Sequence, residues 1–207
     1  MSGPRVRALR PSELTADQAA VYASIAGGPR ASGPKLFELT DPDGRLNGPF
    51  NAMLLSPTVG DALQALGAAV RYGTSLSDRV REMAILAVAT SWDSEFERYA
   101  HEAVGRAAGL SEEEIVALRD LPALTPTDVR EAAALDVVRA LLERSDLDDA
   151  EWDAANAVLG QDEIFELTAL VGYYATLALL MRTHRVPAPP ASGAGGGAGG
   201  IGGSGAE

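Results

Sequence analysis

The chain has 207 residues, 46% of them apolar and 22% charged, enough for one or two small domains with a real hydrophobic core. A net charge of −12 with no basic cluster to offset it gives a surface that repels nucleic acid. The absence of cysteine excludes disulfides, thiolate metal sites and thiol redox chemistry.

The N-terminal MSGPRVRALRPSEL contains no apolar stretch of signal-peptide length, so a cytoplasmic protein is expected. Thr15-Ala16-Asp17-Gln18 reads as a capping box, opening a helix through Val21, Tyr22 and Ile25 that stops at Gly27-Gly28. Residues 29–51 are rich in Gly, Pro, Asp and Asn. They read as a long loop with turns at Asp41-Pro42-Asp43-Gly44 and Asn47-Gly48-Pro49, ending in Phe50 and Asn51. Ser56-Pro57 starts a helix that runs to Gly73, and Ser77 caps the next one.

Between Arg79 and Gly109 two helices follow back to back. The first is almost wholly apolar from Met83 to Ala89, as expected of a helix buried on all sides. Asp93 or Ser94 opens the second, and Gly109 closes it. Ser111 and Glu114 form another capping box for a short helix to about Arg119, and Leu121-Pro122 and Thr125-Pro126 break the chain. A long amphipathic helix is expected near 127–144 with Ala133, Val137, Ala140 and Leu141 inward. Another begins at Asp148 or Asp149 and carries Trp152, Ala155 and Leu159, and a last one spans roughly 161–184. The run from Ile164 to Met181 includes Glu166, Thr168 and two tyrosines, so it reads as a core helix and no membrane span is expected. No segment alternates with a period of two, so the fold class is all-α, a bundle of about eight helices. From Val186 the composition turns to Gly, Ala and Pro, which cannot bury a core; residues 186–207 are expected to be a disordered tail. The expected organisation is an N-terminal helix and loop over 1–46, a helical domain over 47–185, and that tail.

The candidate chemistry lies on the second helix of the central pair. Ser94, Glu97 and His101 recur at i, i+3 and i+7, which puts a hydroxyl, a carboxylate and an imidazole on one face. Glu82 can add a second carboxylate if the two helices pack against each other. A carboxylate–imidazole pair moves protons near neutral pH, and an apolar pocket raises a carboxyl pKa so that it too can act as acid or base. For a negatively charged substrate, Arg79, Arg81 and Arg98 are the nearby cations. Structural alternatives stand beside each: Arg98 can pair with Glu102, Arg79 and Arg81 can neutralise Glu82, Ser94 can be an N-cap, and His101 can be a core histidine bonded to Glu82. Trp92, Phe96 and Tyr99 can line a pocket or pack in a core or interface. His184, alone at the end of the last helix, suits the helix dipole. A single histidine on the polar face argues against a metal site.

Glu82, Ser94, Glu97 and His101 stand in the spacing E-x11-S-x2-E-x3-H, which resembles the carboxymuconolactone decarboxylase-like family, including the AhpD-like peroxidases, whose redox branch reads E-x11-C-x2-C-x3-H. The phrases Asn47-Gly48-Pro49-Phe50 and Arg71-Tyr72-Gly73-Thr74-Ser75-Leu76 look like longer members of that family. The resemblance covers about residues 47–185. It implies an AhpD-like all-helical fold assembled as homotrimers or homohexamers, with the site near a subunit interface. Ser94 and Glu97 replace both redox cysteines, so thiol peroxidase chemistry is excluded. What remains implied is a cofactor-free acid–base enzyme, a carboxy-lyase or else an isomerase or cyclase, acting on a small carbonyl- or lactone-bearing organic acid. In this scheme His101 delivers a proton to carbon, Glu97 orients it and Glu82 relays, with Ser94, Arg79, Arg98, Trp92, Phe50 and Asn51 contacting substrate. The alternative is a non-catalytic oligomer of the same fold that binds a ligand or partner.

Overall fold

The computed structural model describes residues 3–28, 37–120 and 124–187. The described residues form nine α-helices and no strand; the only pairing of extended backbone among them is a bridge between Thr40 and Leu46. The helices are α1 (Ala16–Ala26), α2 (Pro49–Met53), α3 (Pro57–Tyr72), α4 (Asp78–Ser91), α5 (Glu95–Ala107), α6 (Glu112–Ala117), α7 (Val129–Arg144), α8 (Asp149–Val158) and α9 (Gln161–His184).

Most helix starts follow from local capping chemistry. Reciprocal capping boxes tie Thr15 to Gln18, Ser111 to Glu114 and Asp148 to Glu151. Ser77 accepts from the Val80 amide at 3.2 Å to start α4. Asp128, not anticipated as a cap, accepts from the amides of Arg130 and Glu131, which moves the start of α7 past Thr127. Ser56 and Ser94 occupy N-cap positions, but neither hydroxyl bonds the first turn.

Part of the expected long loop is helical. Pro49 presets the backbone dihedral for a first helical turn, and Phe50, Ala52 and Met53 bury into the core, so residues 49–53 wind into α2. The Asp41–Gly44 turn is present, with Asp41 Oδ1 accepting from the amides of Asp43 and Arg45. Residues 29–36, the Leu121-Pro122 break and positions 188–207 of the expected tail lie outside the described residues.

Helix α4 is the axis of the bundle. Met83 through Ala89 are all nearly inaccessible to solvent, and α5, α7 and α9 pack around them. Helix α9 is long and apolar enough to cross a membrane by length and composition. Here it is a core helix, with Leu167, Leu170 and Tyr174 buried and α4 and α7 against it. On α7 the inward face is Ala134, Leu135, Val137, Val138 and Ala140, while Ala133 and Leu141 sit at its edge. The apolar stripe is therefore rotated by about one residue from expectation, because α4 and α9 pack on it from two sides. Helix α1 docks on α3, and its Val21 and Ile25 join the same continuous core.

Candidate active site

The α4–α5 hairpin builds the site. Three residues, Trp92 to Ser94, reverse the chain, with Asp93 in the left-handed region at φ +50°. The reversal lays α5 along α4 and brings together side chains 19 positions apart. Glu82 Oε2 lies 2.6 Å from His101 Nδ1. Both groups are buried, at 1% and 5% exposure.

Helix α3 supplies a cation that sequence reasoning did not place here. Arg71 Nη2 is 3.9 Å from Glu82 Oε1. Arg71 Nη1 lies 3.4 and 3.3 Å from His101 Nδ1 and Nε2, a near-equal spacing that puts it over the ring face rather than along one nitrogen's lone pair. The same nitrogen donates to the Tyr174 hydroxyl at 3.3 Å. The Tyr174 ring stands edge-on to His101, with centroids 5.2 Å apart. A faint signal for Arg71 existed: an arginine in the last turn of an apolar helix, within a phrase shared with the resembling family. Tyr173 and Tyr174 showed only as polar tips in an apolar run.

Electrostatics settle the protonation states. Burial works against ionisation of Glu82, but the His101 imidazole, Arg71 and Arg81 together hold its carboxyl below the usual carboxylate range. Burial lowers His101, and the charges of Arg71 and Arg81 lower it further, against the opposing pull of Glu82. At neutral pH the pair is therefore a carboxylate and a neutral imidazole. Nδ1–H donates to Glu82, which leaves Nε2 as the basic nitrogen. Burial would lower Arg71, but Tyr174 and Glu82 raise it instead, and it stays cationic. Burial keeps Tyr174 a neutral phenol.

Glu97 stands apart from this network. It is 2% exposed, and neither carboxyl oxygen has a hydrogen-bond partner among the described residues. Burial pushes its carboxyl up to about 8, and the Ser94 hydroxyl opposes the shift without offsetting it. At pH 7 it is mostly a neutral acid.

Glu97, His101, Arg71 and Tyr174 line a small cavity walled by Phe37, Pro49, Phe50, Phe96, Ala100, Tyr173 and Leu177, with half-exposed Tyr72 at its rim. Its volume is about 30 Å3, room for one or two waters.

Several expected contacts fall elsewhere. The carboxylate that bonds His101 is Glu82, not Glu97. Arg79 is held by Glu114 and Glu131, each at 2.6 Å, and donates to the Gly109 carbonyl, because α6 and α7 present those acids to the start of α4. Arg98 pairs with Asp93 at 2.8 Å rather than with Glu102, which Arg119 holds at 2.7 Å. Arg81 pairs with Asp78. Trp92 and Ser94 border a shallow groove with Met181 and Arg182, not the cavity. Asn51 is buried, but it ties down the N-terminal strap, donating to the Arg7 carbonyl at 3.1 Å and accepting from the Leu9 amide at 3.4 Å. Phe50 is on the cavity wall. No group of three or more potential metal ligands occurs among the described residues.

The sequence profile of the Carboxymuconolactone decarboxylase family matches residues 57–140, which include Arg71, Glu82, Glu97 and His101. Over that segment the chain resembles this family. No curated protein sequence matches it. Solved structures show that the chain has the AhpD fold. An uncharacterised peroxidase-related protein from Ralstonia eutropha JMP134 with an alkylhydroperoxidase AhpD core superposes with a TM-score of 0.69 at 16% identity, covering 91% of this chain and 94% of that one. A protein of unknown function from Agrobacterium tumefaciens, designated an antioxidant defence protein AhpD, gives 0.61 at 22% identity over 68% and 97%. The debrominase Bmp8 gives 0.67 at 12% identity over 89% and 91%. The chain differs from the redox branch of the family it resembles in having no cysteine.

Proposed function

We propose that the protein is an acid–base enzyme whose chemistry is carried by its own side chains, acting on a small carbonyl- or lactone-bearing organic molecule. The observation that carries this is the Glu82–His101 bond of 2.6 Å set beside a buried carboxyl with no partner. Glu82 fixes the imidazole tautomer, Nε2 accepts a proton, and Glu97 supplies one. The reaction types open to such a trio are loss of carbon dioxide followed by protonation at carbon, and isomerisation or cyclisation by proton transfer. The fold is compatible with small-molecule chemistry of several kinds, since Bmp8, a debrominase, shares it.

The test is isotope exchange. Small ketones, lactones and oxo acids are incubated with the protein in D2O and followed by proton NMR for deuterium at carbon and for loss of carbon dioxide. Wild type should outpace His101→Ala by at least about 100-fold on any compound turned over. Equal rates would leave the non-catalytic ligand-binding reading in its place.

We also infer that copies of the chain associate, as homotrimers or homohexamers of the kind the family resemblance implies. In support, Val59, Leu66 and Tyr72 of α3 and Phe165 and Leu179 of α9 are exposed, on two helices that pack side by side. Native mass spectrometry checks this: Leu66→Glu should shift an oligomer to monomer, and a monomeric wild type would refute it.

A further inference from the structure

The charges around the cavity already cancel. Arg71 is set against Glu82, His101 is a neutral base, and Glu97 and Tyr174 carry no charge. The other arginines nearby are committed elsewhere: Arg79 to Glu114 and Glu131, Arg81 to Asp78, and Arg98 to Asp93. A carboxylate entering this hollow would be buried among Phe50, Phe96 and Leu177, where the lining cation, Arg71, is already shared with Glu82 at 3.9 Å and with the Tyr174 hydroxyl and keeps only its Nε–H without a partner. Burying an unpaired charge is costly, whereas an uncharged carbonyl meets no such penalty. Its oxygen would also find a donor in the Glu97 carboxyl, whose two buried oxygens have no hydrogen-bond partner among the described residues.

We propose that the site takes the carbonyl group of an uncharged ketone or lactone, with the Glu97 carboxyl hydrogen-bonded to its oxygen, His101 Nε2 against the adjacent C–H, and the remainder of the compound reaching past Tyr72 at the rim, since the hollow of about 30 Å3 holds only the reacting atoms. This rests on the acid–base reading above and narrows it to substrates without a carboxylate in the cavity. The step is an enolisation. The C–H proton passes to Nε2, its electron pair forms the C=C bond, the carbonyl π pair moves to oxygen, and oxygen takes the Glu97 proton. The imidazolium then returns its proton to the same carbon or to a conjugated one, and the enol O–H proton goes back to Glu97. No oxidant or reductant is needed, and the net charge of the site is zero at every stage.

The experiment uses the full chain, with cyclopentanone and cyclopentanecarboxylate as probes of similar shape and opposite charge class. Binding is read from shifts of the 13C-labelled glutamate carboxyl signals, and exchange of the α-protons from NMR in D2O. Cyclopentanone should perturb the Glu97 signal and bind at least about tenfold tighter than the carboxylate at neutral pH. The carboxylate should gain affinity as pH falls and it binds as the neutral acid. Glu97→Gln, which can donate a hydrogen bond but cannot transfer a proton, should keep ketone binding within about threefold and slow exchange by about 100-fold. Amide spectra matching wild type establish that the variant is folded. Equal or tighter binding of the carboxylate, or no response of Glu97 to either probe, overturns the proposal. Exchange that survives Glu97→Gln but is lost in His101→Ala overturns it and leaves the acid–base reading standing. Exchange indifferent to His101→Ala overturns both.

Discussion

Glu97 and His101 lie one helical turn apart on the buried face of α5, and they do not bond each other. The imidazole is bonded by Glu82 from α4, and the Glu97 oxygens are left without a partner. The two buried carboxyls on either side of His101 are thereby pushed in opposite directions. Glu82 is held ionised by its neighbours, and Glu97 is kept protonated by burial alone. A pair of acids driven apart in this way supplies a fixed anion and a proton donor at one pH.

The first consequence is a stability that falls as the solution becomes alkaline. The folded-state value for Glu97, about 8, lies above its unfolded value of 4.5. The folded chain therefore binds more protons than the unfolded one between those values. The favourable contribution is complete below 4.5 and is lost as pH rises through about 8. Glu97→Gln cannot ionise, so its stability should lack this decline. Urea denaturation from about pH 5 to pH 9 should show wild type losing about 2–4 kcal/mol relative to the variant. Parallel curves would mean that Glu97 ionises normally.

Arg71 and Glu82 should move the His101 titration in opposite directions. Arg71 disfavours the imidazolium and Glu82 favours it. Arg71→Met should therefore raise the His101 pKa, and Glu82→Gln should lower it further. Proton NMR of the imidazole reads both. Glu82→Gln also strands the buried Arg71 charge and should destabilise the fold by about 3–5 kcal/mol. A His101 titration unmoved by either substitution would place the imidazole outside this network.

Most of the fold was legible because it is written locally. Capping boxes at Thr15 and Ser111, the helix start at Asp148 or Asp149, the all-apolar Met83–Ala89 run and the lack of period-two segments each follow from neighbouring residues. The Glu82–His101 meeting was legible too, since a three-residue turn leaves the hairpin little freedom. What sequence could not give was the neighbour across the bundle. Arg71 reaches the imidazole 30 positions away, and Tyr174 reaches Arg71 across 103. Those distances depend on how α3 and α9 pack, which no local pattern encodes. The arginines adjacent in sequence to the site went the other way. Arg79, Arg81 and Arg98 found acids on the outside of the bundle, where a charge keeps much of its hydration. Residues 49–51 wound into α2 because burial of Phe50 outweighed the loop-forming composition around it.

The cavity wall depends on one glycine. Gly48 has φ +59°, and a Cβ built on it would sit 2.2 Å from Phe96 Cζ, far inside contact distance. The ring cannot easily yield, because Phe37 meets it edge-on at 6.5 Å and Tyr99 lies at 6.4 Å. Gly48→Ala should thus combine a left-handed backbone penalty with displacement of a wall residue. The expected loss is about 2–4 kcal/mol, measured by denaturation. Gly172→Ala supplies the contrast. That residue is exposed in the interior of α9 with nothing within 4 Å of its added Cβ, so the change should raise stability by up to about 1 kcal/mol through helix propensity. If Phe96 packs as described, Gly48→Ala should also disturb the NMR signals of Glu97 and His101, while Gly172→Ala leaves them in place. A Gly48→Ala protein with wild-type stability and unshifted signals would show that the ring does not lie against the glycine backbone.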